Sequence, residues 1–373
     1  MKKASIINKA LAAGLLAGGF ALALPTASLA WEVESYYGSY DASDKQAGKP
    51  APSLSGPETE QWSSPSADEP YRIGVSFPHL RDPYWLAVNY GVIDQARELG
   101  VEVELVAAEG YDDITGQIRQ VENLRNRGID ALILASISYS SQDGLVETIA
   151  EDMPVVQVIN DIQAPAITAK AMVSFYVMGY TAGEYVAADA EGDATVAFLP
   201  GPTGSGWAPD TLDGFKQALI DNGVEDRVEI VAESWGDANR GEQQALIENV
   251  LNRFPELDYL VGNAVAADAA PSIMAGMDDK PKVVSTYLTP PLYEKIGSGE
   301  VAASPSDFTA LQGRMAVDMV VRLLNGETAG EDFPFRSGPR IIALTADNID
   351  EYAYEDMMGP QDWRPVNSVS VDD

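Results

Sequence analysis

The sequence predicts an α/β protein made of two doubly wound parallel-sheet lobes with a cleft between them. Three observations carry this. From residue 71 onward, short β-rich runs alternate with helical patterns, which specifies a parallel sheet covered on both faces. The alternation has too many units for one compact sheet, and a length of 373 residues suits two domains.

The first thirty residues read as an address. Met1-Lys2-Lys3 and Lys9 supply positive charge, residues 10–24 an apolar run, and Ser28-Leu29-Ala30 a small-x-small cleavage signal. This is the pattern of a secretory signal peptide, and the run falls short of the roughly 20 residues that span a bilayer. Export to the periplasm with cleavage before Trp31 is expected. Residues 31–70 contain five prolines, many serines and no sustained period, so they read as an extension. Its aromatics, Trp31, Tyr36, Tyr37, Tyr40 and Trp62, predict that part of it packs on the body.

Strands are then expected at residues 73–77, 101–106, 131–135 and 155–159, separated by helices at 85–99, 114–126 and 142–150. The alternation resumes with a strand at 171–173, a helix at 178–189, and strands at 195–199, 228–232, 259–261, 283–286 and 302–304 with helices between. Strand ends in such sheets face the crevice where ligands bind.

Composition excludes several functions. Lys plus Arg number 24 against 57 Asp plus Glu, a net charge of −33. Loss of the leader removes three lysines and no acid, leaving 57 acids against 21 bases, net −36. Such a chain is repelled by nucleic-acid phosphates and anionic lipid, so neither nucleic-acid binding nor direct membrane insertion is expected. The absence of Cys removes thiolate chemistry, and one histidine, His79, cannot build a multi-histidine metal site. No metal or cofactor is expected. So large an excess of carboxylate predicts a halophilic protein whose self-repulsion is screened by counterions.

Dispersed motifs then become specific. Phe77-Pro78-His79-Leu80-Arg81-Asp82-Pro83-Tyr84-Trp85-Leu86 places an aromatic pair between the first strand and the first helix. Glu109-Gly110-Tyr111, Met178-Gly179-Tyr180, Leu199-Pro200-Gly201-Pro202, Ser285-Thr286-Tyr287-Leu288 and Trp363-Arg364-Pro365-Val366 follow in order. With these the chain resembles the type I periplasmic binding proteins, of ribose-binding and LacI-like architecture. Within that family it is most similar to members that sense trimethylamine N-oxide together with a membrane sensor histidine kinase. The resemblance implies three crossings between lobes, near residues 172, 304 and 340. An N-terminal lobe of 71–172 plus 305–340 and a C-terminal lobe of 173–304 plus 341–373 follow from it.

Sugar-binding relatives meet hydroxyls with Asp, Asn and Arg at strand ends, because an unpaired hydroxyl in a dry cleft is costly. Here Phe175 and Tyr176 follow the strand at 171–173, Tyr287 follows that at 283–286, and residues 201–211 contain no basic side chain. An aromatic box suits a methylated, positively charged nitrogen. The oxide of trimethylamine N-oxide accepts hydrogen bonds only, so tyrosine hydroxyls or an indole N–H must donate. Carried over by the resemblance, the ligand-binding residues are Tyr84, Trp85, Tyr111, Phe175 and Tyr287, with Asp82 adding a carboxylate near the ammonium. Phe175 stands where the family suggests Trp; it keeps the ring face and loses the N–H donor. Asp82 equally fits a helix N-cap, His79 a structural or exposed position, and Trp207 a surface or interlobe one.

Catalysis finds little support. Residues 201–206 lack the Gly-Lys-Ser/Thr ending of a phosphate loop, no Gly-x-Ser-x-Gly elbow occurs, and carboxylates are too numerous for spacing to identify a hydrolytic pair. The expected function is ligand sensing coupled to a membrane sensor kinase. The alternatives are the binding component of an ABC uptake system and, from another class, a periplasmic hydrolase. The thermal midpoint of the mature protein is expected to rise between low and molar salt; a flat response contradicts the halophilic reading.

Overall fold

The computed structural model describes residues 31–44 and 48–371; the predicted signal peptide lies outside them. The extension is not irregular. β1 (Glu32–Tyr37) and β2 (Ser55–Gln61) form an antiparallel pair on the edge of the first sheet. Then come β3 (Arg72–Phe77), α1 (Pro83–Leu99), β4 (Glu102–Ala107), α2 (Ile114–Asn126), β5 (Ala131–Leu134), α3 (Asp143–Ala150), β6 (Val155–Val158) and β7 (Ala169–Ala171).

The chain passes to the second sheet through α4 (Phe175–Asp189). β8 (Ala194–Leu199), α5 (Trp207–Asp221), β9 (Val228–Glu233), α6 (Arg240–Arg253), β10 (Tyr259–Gly262), α7 (Ala264–Ile273), β11 (Lys282–Ser285), α8 (Pro290–Gly297) and β12 (Ala303–Pro305) complete its parallel part. α9 (Thr309–Leu324) and β13 (Arg336–Pro339) return to the first sheet, and β14 (Ala343–Thr345) pairs antiparallel with β12. α10 (Tyr354–Met358) and β15 (Ser368–Val369) end the described chain. The strand orders are β15-β4-β3-β5-β6-β7-β13-β1-β2 and β14-β12-β11-β10-β8-β9.

The sequence reading placed residues 341–373 wholly with the second lobe, but β15 pairs with β4 in the first sheet. A buried clasp explains the return. Asn89 of α1 donates to the Val366 carbonyl (2.8 Å) and accepts from the Val366 N–H and the Trp363 indole N–H, both at 3.0 Å. The helix expected from residue 178 starts at Phe175, because the Ser174 side chain caps it by accepting from the Val177 N–H.

In each lobe, two helices approach so closely that only glycine fits. A Cβ on Gly91 of α1 would strike the Ala310 carbonyl of α9, and one on Gly313 would come within 2.5 Å of the Val88 carbonyl. α4 and α5 repeat the device, with Gly179 against the Thr211 carbonyl and Gly214 against that of Tyr176. Side chains there would hold the backbones apart.

The extension is anchored by a buried carboxylate. Asp318 of α9 accepts from Trp62 Nε1 (2.8 Å), Ser64 Oγ (2.9 Å) and Gln95 Nε2 (2.7 Å). Burial raises its pKa to about 6 against the pull of those donors. Asp318→Ala removes the acceptor of the Trp62 indole N–H, while Gln95 Nε2 keeps Ser64 Oγ (3.2 Å) and exposed Ser64 turns to water. A loss of about 1–3 kcal/mol is expected in urea unfolding; a wild-type midpoint contradicts the anchor.

Candidate functional site

Four helix N-termini meet at the cleft. Asp82 caps α1 by accepting from the Trp85 N–H (3.0 Å), which fixes Tyr84 and Trp85 in its first turn. Phe175 opens α4, Trp207 opens α5, and Asp307 lies just before α9, where Phe308 adopts a left-handed conformation with φ 43°. Tyr111 and Tyr287 come from the loops after β4 and β11.

The rings join across the lobes in one unbroken chain. Tyr111 meets His79 (centroids 5.6 Å), His79 meets Trp85 (6.4 Å) and Trp85 meets Tyr84 (5.8 Å). Tyr84 then crosses to Tyr287 of the other lobe at 5.5 Å and 83°, Tyr287 meets Trp207 at 5.8 Å, and Trp207 meets Phe175 at 6.2 Å. Edge-to-face contacts of this kind contribute about 0.5–1.5 kcal/mol each. Tyr84, Trp85 and Phe175 are buried, whereas Tyr111, Tyr287 and Asp82 keep partial access to solvent.

The structure therefore brings together all six residues singled out in the sequence. Asp82 acts as a helix cap and also lies 3.6 Å from His79 Nε2. His79 is buried rather than exposed, and burial holds its pKa below the usual imidazole value against the opposing pull of Asp82, so it is neutral at pH 7. Burial raises the pKa of Tyr84, Tyr111 and Tyr287, and all three keep their protons.

Three further residues belong to the site. Asn160, at the end of β6, donates through Nδ2 to the Tyr111 hydroxyl (3.2 Å) and to the Ser136 carbonyl (3.0 Å). With its oxygen engaged by Asn160, the Tyr111 O–H is directed elsewhere as a donor. Trp207, read as surface or interlobe, lies buried between Phe175 and Tyr287. Its ring passes over Gly201, where a Cβ would lie 2.5 Å from the indole and where φ is +119°, so glycine alone suits the position.

Asp307 is the third. It is fully buried and acts electrostatically on both Tyr84 and Tyr287. Among the described residues neither its carboxylate oxygens nor the Tyr84 hydroxyl makes a hydrogen bond of full geometry, and the two groups lie close enough to act on one another. Burial raises the Asp307 pKa to about 7, although Tyr84 and nearby backbone N–H groups act in the opposite sense. Aromatic ring faces can receive a cationic or methylated group, tyrosine hydroxyls can donate to an acceptor oxygen, and a buried carboxylate favours a positive partner.

Residues 73–328 match the periplasmic binding protein domain, and the chain belongs to this family of two-lobed binding proteins. Periplasmic protein TorT of Escherichia coli (strain K12) is 32% identical to it over 310 residues, 83% of this chain and 88% of that protein. The solved complex of the TorS sensor domain with TorT in the presence of TMAO is similar at a TM-score of 0.72 and 27% identity, covering 80% of this chain and 99% of that one. An ABC transporter solute binding protein from Bradyrhizobium sp. BTAi1 with bound bis-tris is similar at a TM-score of 0.77 and 32% identity, covering 90% of this chain and 98% of that one.

Because the folded pKa of Asp307 is raised, the native state holds its proton between about pH 4 and 7 while the unfolded chain releases it. Stability contributed by the neutral acid is present below that window and lost as pH rises through it. Asp307→Asn is expected to leave stability at pH 4 nearly unchanged and to raise it at pH 8, by on the order of 2–4 kcal/mol. Denaturant unfolding at both pH values checks this, and a variant less stable than wild type at pH 8 contradicts the placement.

Proposed function

We propose that this chain is an exported periplasmic solute-binding protein that takes trimethylamine N-oxide, or a closely similar methylated amine, in the interlobe cleft. It signals occupancy to a membrane sensor histidine kinase of the TorS type. The observation that carries the reading is the joint wall of Tyr84, Tyr287, Trp207 and Phe175, with the buried Asp307 carboxylate beside Tyr84 and Tyr287. The ring faces and Asp307 receive the methylated nitrogen, with Asp82 adding negative charge. Tyr111, held by Asn160, donates to the oxygen, and Trp85 backs Tyr84. The similarity to TorT, and to TorT bound to the TorS sensor domain, supports both ligand and partner.

In this reading the lobes are rigid bodies, residues 71–172 plus 305–340 and residues 173–304 plus the chain from 341 through β14, with α10 and the segment clasped by Asn89 packing on the first lobe. Ligand bound between them favours one closure angle, and the kinase reads that geometry. The leader is removed on export, the acid-rich surface is an adaptation to high salt, and the protein binds its ligand without turning it over. Among the described residues no helix is long and apolar enough to cross a membrane. The Bradyrhizobium relative supports a second reading, delivery of a solute to an ABC permease. Loss of uptake on deletion, with no capture of a sensor kinase, decides for transport.

Calorimetric titration at high salt with trimethylamine N-oxide, glycine betaine, choline and ribose tests the ligand. Heat with trimethylamine N-oxide and silence with ribose are expected, and the reverse overturns the reading. Trp85→Ala and Tyr287→Ala are each expected to weaken binding about 3- to 30-fold without unfolding the protein. The positive nitrogen favours ionised Asp307 and lowers its pKa in the complex. Affinity is therefore expected to rise with pH up to about 7 and to level above it. Asp307→Asn flattens that profile; an unchanged profile removes Asp307 from the site.

A further inference from the structure

The family match begins at residue 73, yet a segment before it touches both lobes. The extension belongs to the first lobe through β1, β2 and the Asp318 anchor. Between its two strands, Gly48 sits buried in a left-handed conformation with φ +69°. Its N–H donates to Asp161 Oδ2 (3.0 Å), beyond β6, and its carbonyl accepts from Arg336 Nη2 of β13 (2.7 Å). Those bonds hold it to the first lobe. Its other side faces the second, where the Asp210 carboxylate of α5 lies where a Cβ would project. Asp210 is buried, and its Oδ2 has no hydrogen-bond partner among the described residues. The next residue, Lys49, places Nζ 4.1 Å from the ring centroid of Tyr176 on α4.

These two contacts fall on particular helical turns. Tyr176 directly follows Phe175, and Asp210 lies in the first turn of α5, which Trp207 opens. The segment thus grips the two N-termini that carry the second lobe's apolar walls. We propose that Gly48 and Lys49 are positioning residues of the ligand site, strapping α4 and α5 to the first lobe and setting how far the cleft closes. Neither touches the aromatic chain itself. Their effect is to hold Phe175 and Trp207 against Tyr84 and Asp307, so the closed geometry is present before ligand arrives and less ordering is left to binding. The proposal rests on the cleft being the binding site; the strap's effect on closure does not depend on which ligand enters.

The chain has no cysteine, so Glu122→Cys on α2 and Glu248→Cys on α6, both exposed, accept spin labels specifically and report the distance between lobes. In this background Lys49→Ala is expected to shift the ligand-free distances to longer values with an unchanged thermal midpoint. It is also expected to weaken trimethylamine N-oxide about 3- to 30-fold, through faster release. Lys49→Arg keeps a cation over Tyr176 and is expected to restore both readouts. Gly48→Val, which collides with Asp210, is expected to open the cleft further than Lys49→Ala. Unchanged distances in both Lys49→Ala and Gly48→Val overturn the strap. Longer distances in a protein whose wild type takes no trimethylamine N-oxide sustain the strap and reject the ligand instead.

Discussion

The close approach of two helix pairs governs the rest of this structure. Gly91 and Gly313 let α1 and α9 touch backbone to backbone in the first lobe, and Gly179 and Gly214 do the same for α4 and α5 in the second. Each pair follows strands whose carboxyl ends face the cleft, so four N-termini arrive there side by side. A methyl group at any of the four contacts forces the backbones apart, and the aromatic walls move with them. The site is therefore specified far from its own surface, by the residues that let its supporting helices pack.

Electrostatics explains why such a site is tuned to a ligand instead of to its own stability. Asp307 is fully buried, and the fold bears the cost of ionising it. In the proposed function a methylated cationic nitrogen offsets that cost, while the rings give its methyls apolar contact.

Much of this was legible in the sequence, and the parts that were not share physical causes. Tyr84 and Trp85 stood out because the family-like segment puts an aromatic pair at a strand-to-helix junction, and junctions after parallel strands lie at the cleft. Phe175 and Tyr287 stood out as aromatics after strands where sugar-binding relatives carry Asp. Asp307 was one of 57 acids and reaches the site only through a crossover that local pattern does not reveal. Trp207 was open between a surface and an interlobe position, because the sequence does not show that Gly201 makes room for its ring. The extension looked irregular because Pro, Ser and charge dominate it, yet β2 is an exposed edge strand whose pairing comes wholly from β1. The return of β15 depends on Asn89, a helix residue distant in sequence.

The most direct test of the account is a crystal structure of the mature protein grown with trimethylamine N-oxide. The account requires the ligand nitrogen among the faces of Tyr84, Trp207 and Tyr287 with the Asp307 carboxylate beside it, and the oxygen on the Tyr111 hydroxyl. Ligand bound outside the cleft, or a closed cleft whose aromatic walls hold nothing at saturating concentration, contradicts it.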